Sequence, residues 1–414
     1  MSQNVLFLAG GLLAMTALGP AHEGPFDGKT FKGRIAWSCD GNHNDEDDWA
    51  ASPVALAIFA ASGVKDKLVH FDYNNILHSS NPDWEKEHEI SILGAIERYG
   101  YRRELFHNCR RNLDAAIESI ARAINESSAS NPLYFVLAGP MEVPYLGIQR
   151  SDPAKRRFVY CISHSRWNDG FQRGYPFRYN KRAVISSGVR WIQIRDQNQG
   201  LSTGPFGRPH TDLEWAPWLW MRDSPVESVR FLWQRMRATG RADCSDAGMA
   251  YFLVTGDEHA DITKLRRVIE KGEPPAPLHT RRYVRLEAEN FLLLENYELE
   301  DNDQRASHQL CVKLATGARR GRIAGYFDEP YTLPRASYDI EIRYRTEHGG
   351  GCSFTLSVNG VRRGKPWRSV TGEGWRSQNI PLITVRSGDM VAVETECADD
   401  DSAGIDYVQL NLRR

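Results

Sequence analysis

Over roughly the first two thirds of the chain, short apolar runs alternate with longer segments whose apolar residues recur every three or four positions. Residues 34–38 (Arg-Ile-Ala-Trp-Ser) read as a strand and 49–58 as the opening of a helix. A second strand is expected at 67–73, a helix at 87–96, and a clearer helix at 113–124, where the apolar period is helical. Residues 133–138 (Leu-Tyr-Phe-Val-Leu-Ala) are continuously apolar, as in a buried strand, and end at Gly139-Pro140. Runs at 157–163 and 190–194 extend the series, and 249–254 reads as helix. Strands alternating with helices predict an α/β domain over 30–270, a mostly parallel sheet with helices on both faces. Residues 271–282 are rich in Pro and charge, lack an apolar period, and read as a linker. In 283–414 the pattern becomes short alternating runs separated by turns, as at 338–344, 353–358 and 389–395. Asn359-Gly360 follows the second of these and is a hairpin signal. A β-sandwich (jelly-roll) domain is expected there.

The turn between the first strand and helix, Asp40-Gly-Asn-His-Asn-Asp-Glu-Asp-Asp48, carries five carboxylates in nine residues. Unit charges 4 Å apart repel by about 4 kcal/mol at an effective dielectric constant near 20. A turn that tolerates this either stays solvated or holds a cation. Its buried-looking flanks favour the cation, and hard oxygen ligands favour Ca²⁺ over zinc. Ligands of parallel sheets sit beyond the carboxyl ends of the strands. The segments there are 40–48, Asn74-Asn75, 139–142, 164–169 and 195–198, all polar or turn-forming. They should meet at one rim, and Asp246, before the expected helix at 249–254, either closes that rim or simply caps the helix.

Composition adds bounds. The chain has 414 residues, enough for two cores, with 25% charged and 41% apolar residues. The net charge of −1 offers no bulk attraction to nucleic acid or to an anionic membrane. Trp (11) and Tyr (16) are plentiful, many in polar segments, which suits stacking on sugar rings. Residues 5–18 form an apolar block followed by Gly19-Pro20-Ala21, so 1–21 reads as a signal peptide that lacks the usual basic start, and a secreted or periplasmic protein is expected. After its removal no membrane attachment is expected. The seven Cys show no CxxC pair and argue against a zinc or redox motif, while export would permit one or two disulfides of unspecified pairing.

The first domain resembles the nucleoside hydrolase superfamily, which opens with a strand, an Asp-rich turn ending in Asp-Asp, and a helix. The resemblance implies carboxylates that bind Ca²⁺ and sugar hydroxyls. Asp47-Asp48 match the paired aspartates, Asp40 or Asp45 the upstream one, and Asp246 the late aspartate ligand. Leu137-Ala138-Gly139-Pro140-Met141-Glu142-Val143 resembles the family's strand and Gly-Pro-Leu-Thr-Asn turn without the Thr-Asn. Ser245 stands where a His is expected. The segment is also similar to secreted proteins of this superfold associated with breakdown of agar and related galactans. The second domain resembles carbohydrate-binding modules of the family 6 and 35 type. Leu286-Glu287-Ala288-Glu289-Asn290 matches the opening strand, Gly372-Glu373-Gly374-Trp375 the Trp-bearing turn, and Gly404-Ile405-Asp406-Tyr407-Val408 the closing strand. That resemblance implies a structural Ca²⁺ on Glu287, Glu289 and Asp406. Trp375 either stacks on sugar or belongs to the core.

Together these imply a secreted glycoside hydrolase acting on a polysaccharide or oligosaccharide, with an agar-type galactan as the leading substrate. Asp40 or Asp45 would serve the attack on the anomeric carbon, and Asp47, Asp48 and Asp246 would hold Ca²⁺. Glu142, His164 and Asp169 are candidate general acids, with His43 a further one. Asn75, Trp167, Asn168, Asp196 and Asn198 are candidate sugar contacts. The alternatives are a nucleoside N-ribohydrolase and a non-catalytic polysaccharide-binding protein. The sequence sets no oligomeric state.

Overall fold

The computed structural model describes residues 24–413 apart from 44, 80, 171–177, 273–280, 302, 348–350, 371–373 and 399–400. The expected signal peptide at 1–21, most of the expected linker, and Gly372-Glu373 lie outside the described residues.

Six strands form one parallel sheet: β1 (Arg34–Cys39), β2 (Leu68–Tyr73), β3 (Phe106–Asn108), β4 (Leu133–Ala138), β5 (Val159–Ser163) and β6 (Arg190–Gln193), in the order β3-β2-β1-β4-β5-β6. The sheet is buried on both faces, and β1 and β4 are buried along their whole length. Side chains alternate between two cores, as the two-residue period of a strand requires. Ile35, Trp37 and Cys39 of β1 pack with Tyr134, Val136 and Ala138 of β4 on one face. Ala36 packs with Leu133, Phe135 and Leu137 on the other. The first face is covered by α1 (Asp48–Ala61), α2 (Pro82–Tyr99) and the helix Glu227–Thr239; the second by α3 (Leu113–Asn125) and α4 (Glu142–Arg150). Trp37 stacks on Phe71 with ring centroids 5.9 Å apart and takes Phe59 edge-on. From Asp48 to Phe59 every residue of α1 is buried, so this helix lies within the domain rather than on it.

The sequence-based boundaries shift where polar residues hide an end. α2 begins five residues before the expected 87, because its first turn is polar; Asn81 caps it by accepting the Trp84 N–H at 3.3 Å, with Pro82 at the first helical position. Gly100, at φ 67°, closes it. β3 was not expected: its Phe-His-Asn shows no alternation, and it is an edge strand. The helix Glu227–Thr239 was not expected either, yet it sends Val229, Phe231, Leu232 and Met236 into the α1 core.

From Tyr283 on, eleven strands among the described residues form two antiparallel sheets around one core that includes Val312, Ile340, Ile342, Tyr344, Phe354, Val393, Ile405 and Val408. Cys352–Val358 and Val361–Arg368 form the expected hairpin, with Asn359 and Gly360 both left-handed at φ 52° and 75°. Cys352 and Cys397 face each other in register and are disulfide-bonded. The protein is therefore an α/β unit with a parallel sheet plus a β-sandwich. Tyr331, between two sandwich strands, is fully buried against the α/β core: its hydroxyl donates to the Leu253 carbonyl at 2.6 Å and its ring meets Phe252 edge-on. Gly256 is required beneath it, since a Cβ there would lie 2.6 Å from the Tyr331 ring.

Tyr331→Ala should therefore cost about 3–5 kcal/mol. In calorimetry it should resolve the unfolding of the two sheet systems into separate transitions; an unchanged profile would show that Tyr331 does not join them.

Candidate functional site

β1 is the switch point of the sheet, with β2 on one side and β4 on the other, so a crevice opens beyond its carboxyl end. The acidic turn starts there. Its backbone is tied to its neighbours. The Asn74 N–H donates to the Asp40 carbonyl at 3.0 Å, and Asn42 exchanges hydrogen bonds with both backbone groups of Ile76. The Trp49 indole donates to the Gly41 carbonyl at 2.7 Å. Burial pushes His88 down to about 3, so the ring is neutral and its Nδ1–H serves the Asp40 carbonyl at 2.8 Å. Gly41, at φ 70°, is required: a Cβ would lie 2.5 Å from His88 Nδ1.

Asp40, Asp47, Asp48 and Asp246 are all buried. One carboxylate oxygen each from Asp47, Asp48 and Asp246 lie within 4.8 Å of one another. Both oxygens of Asp40, both of Asp48 and Oδ1 of Asp47 have no hydrogen-bond partner among the described residues, and neither has Oδ1 of Asn75. Burial, then the neighbouring carboxylates, holds Asp40, Asp47 and Asp48 well above the usual carboxylate range. Burial pushes the half-buried Asp45 up to about 8. Partnerless hard oxygens, clustered and desolvated, fit a bound Ca²⁺. Arg241 offsets the charge only in part. It donates to Asp243 at 3.1 Å and stands 3.7 Å from Glu46, with Asp47 and Asp45 raising its pKa further against the cost of burial.

Asn75 lies beneath this cluster, donating to the Ser38 hydroxyl at 3.0 Å; that hydroxyl in turn donates to buried Asp72 at 2.7 Å. Asp72 also accepts from His70 at 2.8 Å. Gly139 must be glycine, because a Cβ would lie 2.8 Å from the Asp40 nitrogen and 3.0 Å from Asn75 Nδ2.

Beside the carboxylates opens a cavity of about 230 Å³ lined by Asp45, Asp47, His164, Trp167, Asn168, Asn198, Phe206, Arg241, Ser245 and Asp246, with Ser165. His164, at the end of β5, donates from Nε2 to Asp246 at 2.6 Å. Burial alone would lower its pKa, but the carboxylates of Asp196, 3.7 Å from Nδ1, and Asp246 outweigh burial and raise it. The Gln197 N–H, 3.3 Å from Nδ1, works against that rise. The position before Asp246 holds Ser245, and an imidazole reaches the same carboxylate from a different strand.

Several expected site residues are engaged elsewhere. Asp169 is not available as a general acid: it is buried outside the cavity wall, accepting the Ser163 hydroxyl at 2.7 Å and paired with Lys181 at 3.3 Å. Glu142 is half-buried at the start of α4 and does not line the cavity; it acts electrostatically on the exposed His78. Asp196 does not line the cavity; it accepts both the side chain and the backbone N–H of Asn198 and lies 3.7 Å from His164 Nδ1. Trp375 does not line this cavity, its indole donating to Asp303 at 3.1 Å and its ring approached by Arg343 and Arg345 at 5.2 and 5.1 Å. Glu287 and Glu289 lie together with His308, and Asp406, ion-paired with Arg343, lies on the far side of the Ser307 hydroxyl oxygen that is 2.6 Å from both Asp406 and Glu287; Oε2 of Glu289 is buried without a partner among the described residues. Sequence reasoning missed Arg241 and Phe206. Phe206 is 71% exposed on a Gly-Pro-Phe-Gly loop, a signal that was readable, and Arg241 sits over its ring at 4.5 Å.

No family model matches the chain. The uncharacterized protein P22 of Formosa agariphila is 25% identical over 265 residues, 58% of this chain and 92% of that protein. A family 35 carbohydrate binding module from Clostridium thermocellum matches 31% of this chain and 98% of its own, at 20% identity and a TM-score of 0.27. The CBM35 from Paenibacillus barcinonensis matches 31% of this chain and 99% of its own, at 15% identity and a TM-score of 0.26. The Podospora anserina GH26-CBM35 β-(1,4)-mannanase matches over 32% of this chain at 16% identity and a TM-score of 0.27, and the chain spans only 28% of that enzyme. At such values these likenesses carry no argument about activity or ligand.

The raised carboxylates give a signed pH dependence. An Asp whose folded pKa lies above its unfolded value of about 3.9 stabilises the fold fully below that value and loses the contribution as pH rises through the folded pKa. In chelator the protein should therefore lose thermal stability as pH rises from about 4 toward about 8, the upper end marked by Asp45. Ca²⁺ should restore it at the upper end. Equal stability across that range in chelator would contradict a buried, uncompensated cluster.

Proposed function

We propose that the chain is a Ca²⁺-assisted glycoside hydrolase that cleaves a polysaccharide or oligosaccharide, with an agar-type galactan as first choice. In this reading the nucleoside hydrolase-like parallel sheet carries the chemistry and the sandwich is a carbohydrate-binding-module-like partner. The observation that carries the reading is the set of partnerless buried oxygens on Asp40, Asp47 and Asp48, converging with Asp246 at the switch point. The adjoining cavity adds two aromatic rings, two amides and an imidazole, groups suited to a sugar ring. The Cys352–Cys397 disulfide supports an exported protein.

When bound, Ca²⁺ would neutralise Asp47, Asp48 and Asp246 and fix the sugar hydroxyls that approach them. The chain's own residues do the rest. Trp167 offers a ring to the apolar face of the sugar, and Asn168 and Asn198 take its hydroxyls from the wall. Asp45, half-buried in that wall, accepts a proton from the attacking water. The hydroxyl joins the anomeric carbon as the bond to the leaving sugar oxygen breaks, and His164 protonates that oxygen. The surrounding carboxylates stabilise the positive charge that develops on the sugar ring. Asp246 holds the His164 ring in place and favours its charged form.

The test is a product-sizing screen of marine and plant polysaccharides, with inosine and uridine as parallel substrates, in Ca²⁺ and in chelator. The reading predicts new reducing ends that disappear in chelator, and a loss on the order of 100-fold or more for Asp47→Asn, since charge stabilisation at such a site contributes several kcal/mol. Release of free base would assign N-glycosidic cleavage instead. Retained polysaccharide binding without products would make the protein a binder. Unchanged turnover in Asp47→Asn would remove the carboxylates from the mechanism.

A further inference from the structure

Phe206 lines the candidate cavity and is 71% exposed, whereas Trp167 in the same wall is half-buried. A lone apolar side chain on a protein surface is ordinary. This one is held in place beside a polar site. The chain on either side of it is pinned to the body of the α/β unit. The Thr203 N–H donates to the Ala242 carbonyl at 3.1 Å and its hydroxyl to the Glu214 carbonyl at 2.6 Å, and the His210 N–H donates to the Gly240 carbonyl at 3.3 Å. His210 Nδ1 accepts the Ala242 N–H at 2.8 Å, which leaves Nε2 to donate to the Pro205 carbonyl at 3.4 Å.

Arg241 fixes the ring itself. It is 6% exposed, donates to Asp243 at 3.1 Å and stands 3.7 Å from Glu46 in the acidic turn. Its guanidinium carbon lies 4.5 Å from the Phe206 ring centroid, a cation–π contact. One face of the ring therefore rests on a guanidinium anchored in the carboxylate cluster, and the other face is open. A flat apolar face that is already held loses little freedom when it takes a ligand. It suits the apolar face of a pyranose ring. A nucleobase would stack there as well, but it also asks for hydrogen bonds along its edge. The groups beside Phe206 are spent: the Pro205 carbonyl on His210, and the Arg208 guanidinium on Glu214 at 2.9 Å.

We propose that Phe206 is the platform for a second sugar residue, the neighbour of the one held against Trp167, so that the site takes a glycan chain rather than a single sugar or a nucleoside. The inference rests on the reading of the cavity as a sugar site and adds the ring that receives the next residue of the chain. Arg241 then has two roles, offsetting part of the acidic charge and holding that platform flat.

Affinity electrophoresis of the full-length protein through gels containing marine and plant polysaccharides, in Ca²⁺, tests it, with inosine and uridine as soluble competitors. Circular dichroism checks that each variant folds. Phe206→Ala and Phe206→Leu should each weaken polysaccharide binding on the order of 10-fold, as expected for the loss of one stacked ring. Phe206→Trp, which keeps a flat face, should bind at least as well as wild type. Leucine still covers the guanidinium but offers no flat face, so full binding by Phe206→Leu would show that the side chain serves Arg241 alone and would overturn the proposal. Equal binding by wild type and Phe206→Ala would overturn it too, while leaving cleavage at the carboxylates untouched. A wild-type protein retarded by no polysaccharide of the panel would remove this inference together with the sugar reading. Competition by inosine or uridine that Phe206→Ala abolishes would assign the ring to a base and overturn it as well.

Discussion

The site depends on one constraint: several carboxylates are forced out of water and toward one another at the end of the central strand of a buried sheet. Backbone ties to Asn74, Ile76 and Trp49 keep the turn from opening, and the start of α1 places Asp47 and Asp48 against the rim. The partial positive charge of a helix start helps, worth about 0.3–1 kcal/mol at ordinary sites. That is small beside a repulsion of about 4 kcal/mol for each close pair at an effective dielectric constant near 20. Arg241 answers a share of it. The remainder calls for a divalent ion or for protons.

Much of this was legible in the chain, and the reason is local. A strand, an acidic turn and a helix that is apolar on every side leave little freedom for where Asp40 and Asp48 go. A parallel sheet then brings the segments following its other strands to the same end, which is why Asn75, Gly139 and His164 come within reach of the turn, while Asp246 reaches it from the start of the helix Ala247–Thr255. What was not legible depends on partners distant in sequence. Asp169 looks like a rim acid until Lys181 claims it, and the ion pair of Asp406 with Arg343 has no local signal in the sequence. Trp375 looks like a sugar platform until Asp303 and two arginines surround it. The edge strand β3 escaped because three residues show no alternation, whereas the helix Glu227–Thr239 does carry Val229, Leu232 and Met236 at helical spacing, set among charged and polar neighbours.

The two halves therefore meet the same electrostatic problem in different ways. Around Asp47 and Asp48 the chain leaves buried oxygens partnerless, which suits a ligand that arrives from solution. Around Glu287, Glu289 and Asp406 it supplies Lys181, Arg343 and Ser307 for some of the oxygens and leaves Oε2 of Glu289 without a partner among the described residues. Tyr331 adds an apolar anchor to the same junction. The sandwich is thus part of the support of the α/β unit as well as a module in its own right.

The most direct check on the central claim is a crystal of the full chain grown with Ca²⁺ and examined by anomalous scattering at a long wavelength. The account predicts a calcium peak among the oxygens of Asp47, Asp48 and Asp246, with Asp40 close by. Density there that is empty or filled only by water, in a crystal that binds calcium elsewhere, would contradict it.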